Sequence, residues 1–317
     1  MKKVLLAFLL LSIMLISNTA MGCNKTQNIK VKIMVPDGIT LIALGGLYDN
    51  QDIEIDNVSG PDLLSSAFTT KSHDIVIAPL NLGAKLYNNN NSIYKLDSMI
   101  TFGNVYIISR NGTPLDNTLS NLTGKKIIAF GKNTTPDIIF RAALASKNIA
   151  INEDNIDYQS GISEVVPLFK GDNSTYDYAL VAEPVVSQLQ IKFGMELNVV
   201  DLQTVLADEM SSIPQAGVFV NPESKNIDKI NKVLEKLKAN IQNLKSNPTQ
   251  YADNIVNKNE YFTNMTSAVI ASAIQSGNVI DYLDAKDNKS VAEQYFELLI
   301  EKNSNLLDII PSETFYY

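Results

Sequence analysis

Apolar residues in this chain form one long run and then an extended alternation. Residues 4–16 are apolar apart from Ser12; Lys2 and Lys3 precede them, and small or polar residues follow from Ser17 to Ala20. That order is the charged, apolar and polar sequence of a secretory signal. The run falls short of the ~20 residues a membrane-spanning helix needs. Residues 1–22 are therefore expected to be a signal peptide.

From Lys30 on, strand and helix patterns alternate. Strands are predicted over 30–35, 53–58 and 74–78. Helices are predicted over 39–47, from Ser59-Gly60-Pro61 to 68, and over 79–87, with Pro61 where a first helical turn tolerates proline. The order βαβαβα argues for a parallel sheet. Extended segments follow at 93–101 and 104–109, then a turn-rich connector over 110–120. A second unit places strands at 126–130, 156–158, 178–182 and 197–201. Its helices lie at 136–147, at 163–169 with a break near Pro167, and at 184–193. Residues 215–220 are extended again.

The rest is helical. Ile227, Ile230, Leu234, Leu237, Ile241 and Leu244 form one apolar stripe, spaced for a helix packing on its own lobe or on a coiled-coil partner. Further helices are predicted at 251–256, 265–275 and 291–302. The chain thus divides into a signal (1–22), a tether (23–29), a first lobe (30–107 with 217–317) and a second, inserted lobe (108–216). The chain would cross between lobes near Tyr106 and near Val218.

Composition narrows the function. Without Lys2 and Lys3 the 26 basic residues fall to 24 against 34 acidic ones, a net charge of −10. Only Arg110 and Arg141 are arginines, so nucleic-acid binding, which needs clustered cations, is not expected. Cys23 is the one cysteine, which leaves no disulfide framework. It sits in Ala20-Met21-Gly22-Cys23, which resembles the bacterial lipobox, although Ala20 stands where leucine is usual. The resemblance implies acylation of Cys23, with a polar tether after it. Two acyl chains at ~0.8 kcal/mol per methylene hold such a protein on a membrane without a spanning helix. The expected location is the extracytoplasmic face of the cell membrane.

Ligands of open α/β sheets bind beyond the carboxyl ends of strands. Four strand-to-helix corners qualify: Asp37-Gly38-Ile39-Thr40, Pro79-Leu80-Asn81, Gly131-Lys132-Asn133-Thr134-Thr135, and Glu183. Ser59-Gly60 is a weaker fifth. Glycine lets a backbone approach a ligand, and free N–H groups at helix starts take anionic or acceptor atoms. Asp37, Asn81 and Thr134 also suit plain helix capping. Lys132 is the one cation near the corners and suits either an anionic ligand or solvent. Phe102, Tyr106 and Phe130 are candidate cleft walls or plain core. His73, at the amino end of the third strand, reads as a surface residue without catalytic role.

Val35-Pro36-Asp37-Gly38, the segment from Asp74 to Tyr87, Gly124-Lys125-Lys126-Ile127-Ile128-Ala129-Phe130-Gly131, and Ala182-Glu183-Pro184 resemble solute-binding proteins of ABC importers. The nearest branch is the nitrate, sulfonate and taurine class, which includes binders of a pyrimidine precursor. The resemblance implies an α/β, two-lobed type 2 periplasmic-binding-protein fold that closes on a small molecule. It also implies a monomer that docks on a membrane permease, with no metal and no cofactor. A ligand-sensing or adhesive lipoprotein is a second reading. An enzyme of the pyrimidine-precursor type is a third, but the histidine- and cysteine-rich signatures of such enzymes are absent, as are Gly-x-Gly-x-x-Gly and the phosphate-binding P-loop. The scarcity of arginine favours a neutral or weakly charged organic ligand.

Overall fold

A computed structural model describes residues 29–171 and 173–317. The expected signal peptide, Cys23 and nearly all of the tether lie outside the described residues. Among those residues no helix is long and apolar enough to cross a membrane.

Two sheets organise the chain. The first is built from β1 (Val31–Pro36), β2 (Ile53–Val58), β3 (Ile75–Pro79), β4 (Lys95–Phe102), β10 (Pro214–Val220) and β11 (Ile280–Asp284), in the order β11-β4-β10-β3-β1-β2. The second is built from β5 (Tyr106–Arg110), β6 (Ile127–Phe130), β7 (Ile156–Gln159), β8 (Tyr178–Val181) and β9 (Leu197–Asp201), in the order β7-β6-β8-β5-β9. β1, β2 and β3 are mutually parallel, as are β6, β7 and β8. Their sequences explain this. β3 and β8 are apolar throughout and almost wholly buried, as strands covered on both faces must be.

The chain changes sheet twice. It leaves β4 at Phe102 and enters β5 at Tyr106, and it leaves β9 at Asp201 and enters β10 at Pro214. The boundaries drawn at 107/108 and 216/217 therefore fall inside β5 and β10. β10 lies antiparallel between β3 and β4, and β5 lies antiparallel between β8 and β9. Each sheet thus contains an inner strand laid down just after a crossing. Both crossings join the carboxyl edge of one sheet's parallel strands to that of the other. The corners of the two lobes therefore gather at one level.

The helices are α1 (Ile39–Ile42), α2 (Pro61–Thr70), α3 (Leu80–Asn88), α4 (Thr135–Ser146), α5 (Ile162–Lys170), α6 (Val185–Ser187), α7 (Leu202–Val205), α8 (Ile227–Ser246), α9 (Pro248–Lys258), α10 (Ser267–Gln275) and α11 (Lys289–Lys302). The α8 stripe packs on its own lobe, against β1 and β11, rather than on a partner helix. Asn240 sits within that stripe. Its side chain donates to the Ala43 carbonyl (2.6 Å) and accepts from Gly46 N–H (2.9 Å).

That pair explains a departure from the predicted helix over 39–47. The helix stops at Ile42, and the chain then makes only a 3₁₀ turn over Gly45–Leu47. A Cβ on Gly45 would lie 2.4 Å from Ile255, and one on Gly46 would lie 2.1 Å from Asn240. The glycines admit α8 and α9 at close range. The helix predicted over 184–193 likewise changes form, from α6 to a π-turn over Gln188–Lys192. α5 runs through Pro167 without the expected break. β11 is an addition.

His73 corrects its surface reading. It is 8 % exposed, with Nε2 3.0 Å from Asp56 and Nδ1 2.8 Å from Ser72, while its carbonyl accepts from the Tyr94 hydroxyl. Its partner Asp56 lies on β2.

Candidate functional site

Two helix starts of the first lobe, at the ends of β2 and β3, are open. Gly60 precedes α2 and Pro79 precedes α3, and neither start has a side-chain cap. Gly60 is extended, and a Cβ there would meet nothing within 4 Å. Ser59 beside it is exposed. At the β1 corner Gly38 takes φ 96, a conformation suited to glycine. Asp37 accepts from Asn57 Nδ2 (2.7 Å). Thr40 turns inward and donates to the Pro36 carbonyl (2.7 Å), and Ile39 is core. Of this corner, the Asp37-Gly38 turn stays accessible.

At the β3 corner Leu80 is fully buried, and Asn81 Oδ1 is buried with no hydrogen-bond partner. Gln215 Nε2 and Thr101 Oγ1 are also buried without partners. All three belong to the same edge of the first sheet, since Ala216 is paired with both Pro79 and Thr101. Gln215 sits where the β10–β4 register shifts, and such irregularities re-aim side chains. An unmade hydrogen bond of this kind costs about 1–3 kcal/mol, so three at one edge make a natural place for a ligand's polar atoms. Sequence reading selected Asn81 and missed Thr101 and Gln215, because no pattern marks a strand residue as unpartnered.

In the second lobe the cap residues Thr134, Gly161 and Pro184 likewise make no side-chain cap bond, but acids of the corners bond the groups around them. At the β6 corner Asn133 takes φ 59 and its N–H donates to Asp137 Oδ2 (2.8 Å). Asp137 is 1 % exposed and also accepts from Arg141 Nε (2.9 Å) and Tyr158 OH (2.5 Å). Arg141 forks onto Glu153 at 2.6 and 2.8 Å. At the next corner Glu164 accepts from Ser160 N (3.3 Å) and Oγ (2.7 Å). At the β8 corner Glu183 accepts from Ser187 N and Oγ, both at 3.0 Å. Each pair is four residues apart, a spacing visible in the sequence once sought.

The remaining candidates in this lobe are engaged locally. Thr134 Oγ1 donates to the Gly131 carbonyl (2.6 Å), and Thr135 meets Tyr295 OH of α11 (3.2 Å). Lys132 is exposed, with Nζ 5.4 Å above the Tyr158 ring. Glu183 is only 5 % exposed; burial, its largest influence, raises its carboxyl pKa. Glu183 therefore serves its own helix start and the seam between lobes. Phe102 is core, Phe130 is half-buried, and Tyr106 lies in the seam with its hydroxyl 3.1 Å from Ser276 Oγ. Tyr261 stands 40 % exposed near the first corner. Burial, then the Asp37 charge, raises its hydroxyl pKa.

A surface cavity of about 710 Å³ lies elsewhere, lined by Tyr87, Ile93, Lys95, Pro222 and Ile309. Lys95 begins β4 and Pro222 follows β10, so it opens at the far edge of the first sheet. It has no corner residue in its wall. Among the described residues no group of three or more His, Cys, Asp or Glu side chains is placed to hold a metal ion.

No protein-family model and no curated protein matches the chain. Solved structures do. An ABC transporter protein from Parabacteroides distasonis is 21 % identical, with TM-score 0.75 over 91 % of this chain and 98 % of its own. The periplasmic aliphatic sulphonate binding protein SsuA of Escherichia coli is 14 % identical, with TM-score 0.68 over 91 % and 92 %. The alkanesulfonate-binding SsuA of Xanthomonas axonopodis pv. citri, bound to MOPS, is 14 % identical, with TM-score 0.64 over 91 % and 98 %. The chain has the two-lobed fold shared by these ABC-transporter binding proteins.

Proposed function

We propose that this chain is the solute-binding lipoprotein of an ABC importer, trapping a small polar ligand between its lobes and presenting it to a membrane permease. The observation that carries this reading is the first lobe's edge, where open helix starts at Gly60 and Pro79 stand with the unpartnered Asn81, Thr101 and Gln215. N–H groups at helix starts bind acceptor or anionic atoms, and the buried amides supply further polar contacts. The ligand's acceptor end is placed here, near Gly38, Ser59, Gly60 and Asn81. The second lobe, whose corners carry their own carboxylates, closes over the other end. The fold of sulphonate-binding proteins supports a sulfonate or another small organic molecule as ligand.

The protein binds without turnover and works as a monomer. Closure about the two crossings buries the ligand and forms the surface a permease reads. Cys23, acylated after removal of residues 1–22, holds the protein on the outer face of the membrane.

A ligand that binds only the native protein raises its Tm. Thermal scanning with sulfonates, pyrimidine precursors, aromatic acids and small anions should yield at least one upward shift. Chemical conversion of the stabilising compound would overturn the reading. Palmitate labelling should vanish in Cys23→Ala, with release from the membrane fraction; persistent labelling would refute the anchor.

A further inference from the structure

We infer that Glu183, reached through Ser187 by Ser272 of the first lobe, forms a proton-operated latch that favours lobe closure as the pH falls. The inference rests on the trap reading above and adds a control to it. Its basis is the seam between α10 of the first lobe and α6 of the second, which pack together.

Ser187 Oγ is 3.0 Å from Glu183 Oε1 and 2.9 Å from Ser272 Oγ. One hydroxyl has one proton to give. With the carboxylate charged, Ser187 donates to Glu183 and accepts from Ser272. With the carboxyl protonated, Glu183 donates to Ser187, which donates onward to Ser272. These bonds survive in both states; Ser276 also bonds the carboxylate and favours its charged form, but burial outweighs it, so the difference lies mainly in the charge that closure must bury.

The described groups packed around that charge supply no cation. α10 has no charged residue anywhere in Ser267–Gln275. β5 brings the Tyr106 hydroxyl, bonded to Ser276 at 3.1 Å. β9 brings Asp201, whose Oδ2 would lie 2.9 Å from a Cβ on Gly277 and whose carboxyl pKa burial also raises. The crossing brings Asn104, which accepts from Glu183 N at 2.7 Å. Lys192, on the π-turn after α6, is bonded instead to the Asn264 carbonyl at 2.5 Å. A charge enclosed without a counter-ion is costly.

Burial holds the Glu183 carboxyl above its ordinary pKa. Opening the seam returns it to water and toward about 4.3. The closed form therefore binds more protons. Its advantage grows as pH falls from neutrality toward that value and is lost as pH rises through the closed-form pKa. The closed-to-open ratio changes by about tenfold for each unit separating the two pKa values.

The test uses the full chain in a Cys23→Ser background, spin-labelled through Asp62→Cys on α2 and Ser163→Cys on α5, both exposed sites. Pulsed distance measurements from pH 8 to pH 5, without ligand, should show the shorter distance gaining population as pH falls. Glu183→Gln should hold the low-pH distribution at every pH. Ser272→Ala, which leaves the Glu183 cap intact, should reduce the closed population throughout. An unchanged distribution from pH 8 to 5, an unaltered pH response in Glu183→Gln, or its transfer to Asp201→Asn would overturn the latch. No change in Ser272→Ala would overturn it too. Taurine shifting Tm while the distances ignore pH would sink the latch and leave the trap standing.

Discussion

Helix starts in the two lobes occupy equivalent places and are completed by different physics. In the first lobe α2 and α3 begin behind Gly60 and Pro79, which offer no side-chain oxygen. In the second, Asp137, Glu164 and Glu183 turn back onto the amides and hydroxyls of their own corners. A helix start carries a partial positive charge, and an acid in place already neutralises it. α2 does carry Asp62 in its first turn, so the difference lies in the corner bonds, which the acids of the second lobe make and the Gly60 and Pro79 corners lack. In the proposed trap this difference would make the first lobe the receiver and the second the cover.

Asp137→Ala should give the largest effect, because it strands Asn133 N–H, Tyr158 OH and the Arg141 guanidinium together. We expect a loss of about 3 kcal/mol, read as a fall in Tm. A loss under about 1 kcal/mol would break the claim that acids hold the second lobe's corners. Gly83→Ala is the counterpart in the first lobe, where packing does the holding. Its new Cβ would stand 2.2 Å from Phe219 Cζ, and overpacking of this kind costs about 2 kcal/mol.

Gly60→Asp converts a first-lobe corner into a second-lobe one. The apo protein should gain about 0.5 kcal/mol from the new cap. The Tm rise produced by an acceptor-bearing ligand should shrink. An undiminished rise would place the ligand elsewhere. Lys132→Ala should do least. Removing a cation near an aromatic face at an exposed site costs about 0.5 kcal/mol, and the ligand-induced Tm rise should stay as it was. A lost rise would restore Lys132 as an anion partner.

Much of the fold was legible because its signals are local. β3 and β8 announce themselves as short apolar runs, and the α8 stripe as a repeat of threes and fours. What stayed hidden depends on distant partners. The helix predicted over 39–47 is cut short by Asn240, nearly two hundred residues on. His73 looks like a surface residue until β2 supplies Asp56. β11 escaped because three of its five residues are Asp281, Tyr282 and Asp284, which suit a half-exposed edge strand as well as a loop. Within the site, the corners could be found from strand-to-helix order alone. Their hydrogen bonding could not, since the corner at Gly60 and the one at Asn133, which Asp137 holds, both read as turn chemistry. Thr101 and Gln215 became candidates only when their missing partners could be seen.

The late return of β10 and β11 to the first sheet sets a timetable for synthesis. The second sheet is drawn from one continuous stretch, Tyr106 to Asp201, and has every strand once that stretch has emerged. The first sheet begins at Val31 but needs β10 and β11, so its last strand arrives only with Asp284. The half made first is thus finished last, and β1 to β4 must wait with their central gap unfilled while the whole second sheet is made. Such long-range pairing folds slowly. A slowly closing chain stays threadable for longer, which would suit the export proposed above.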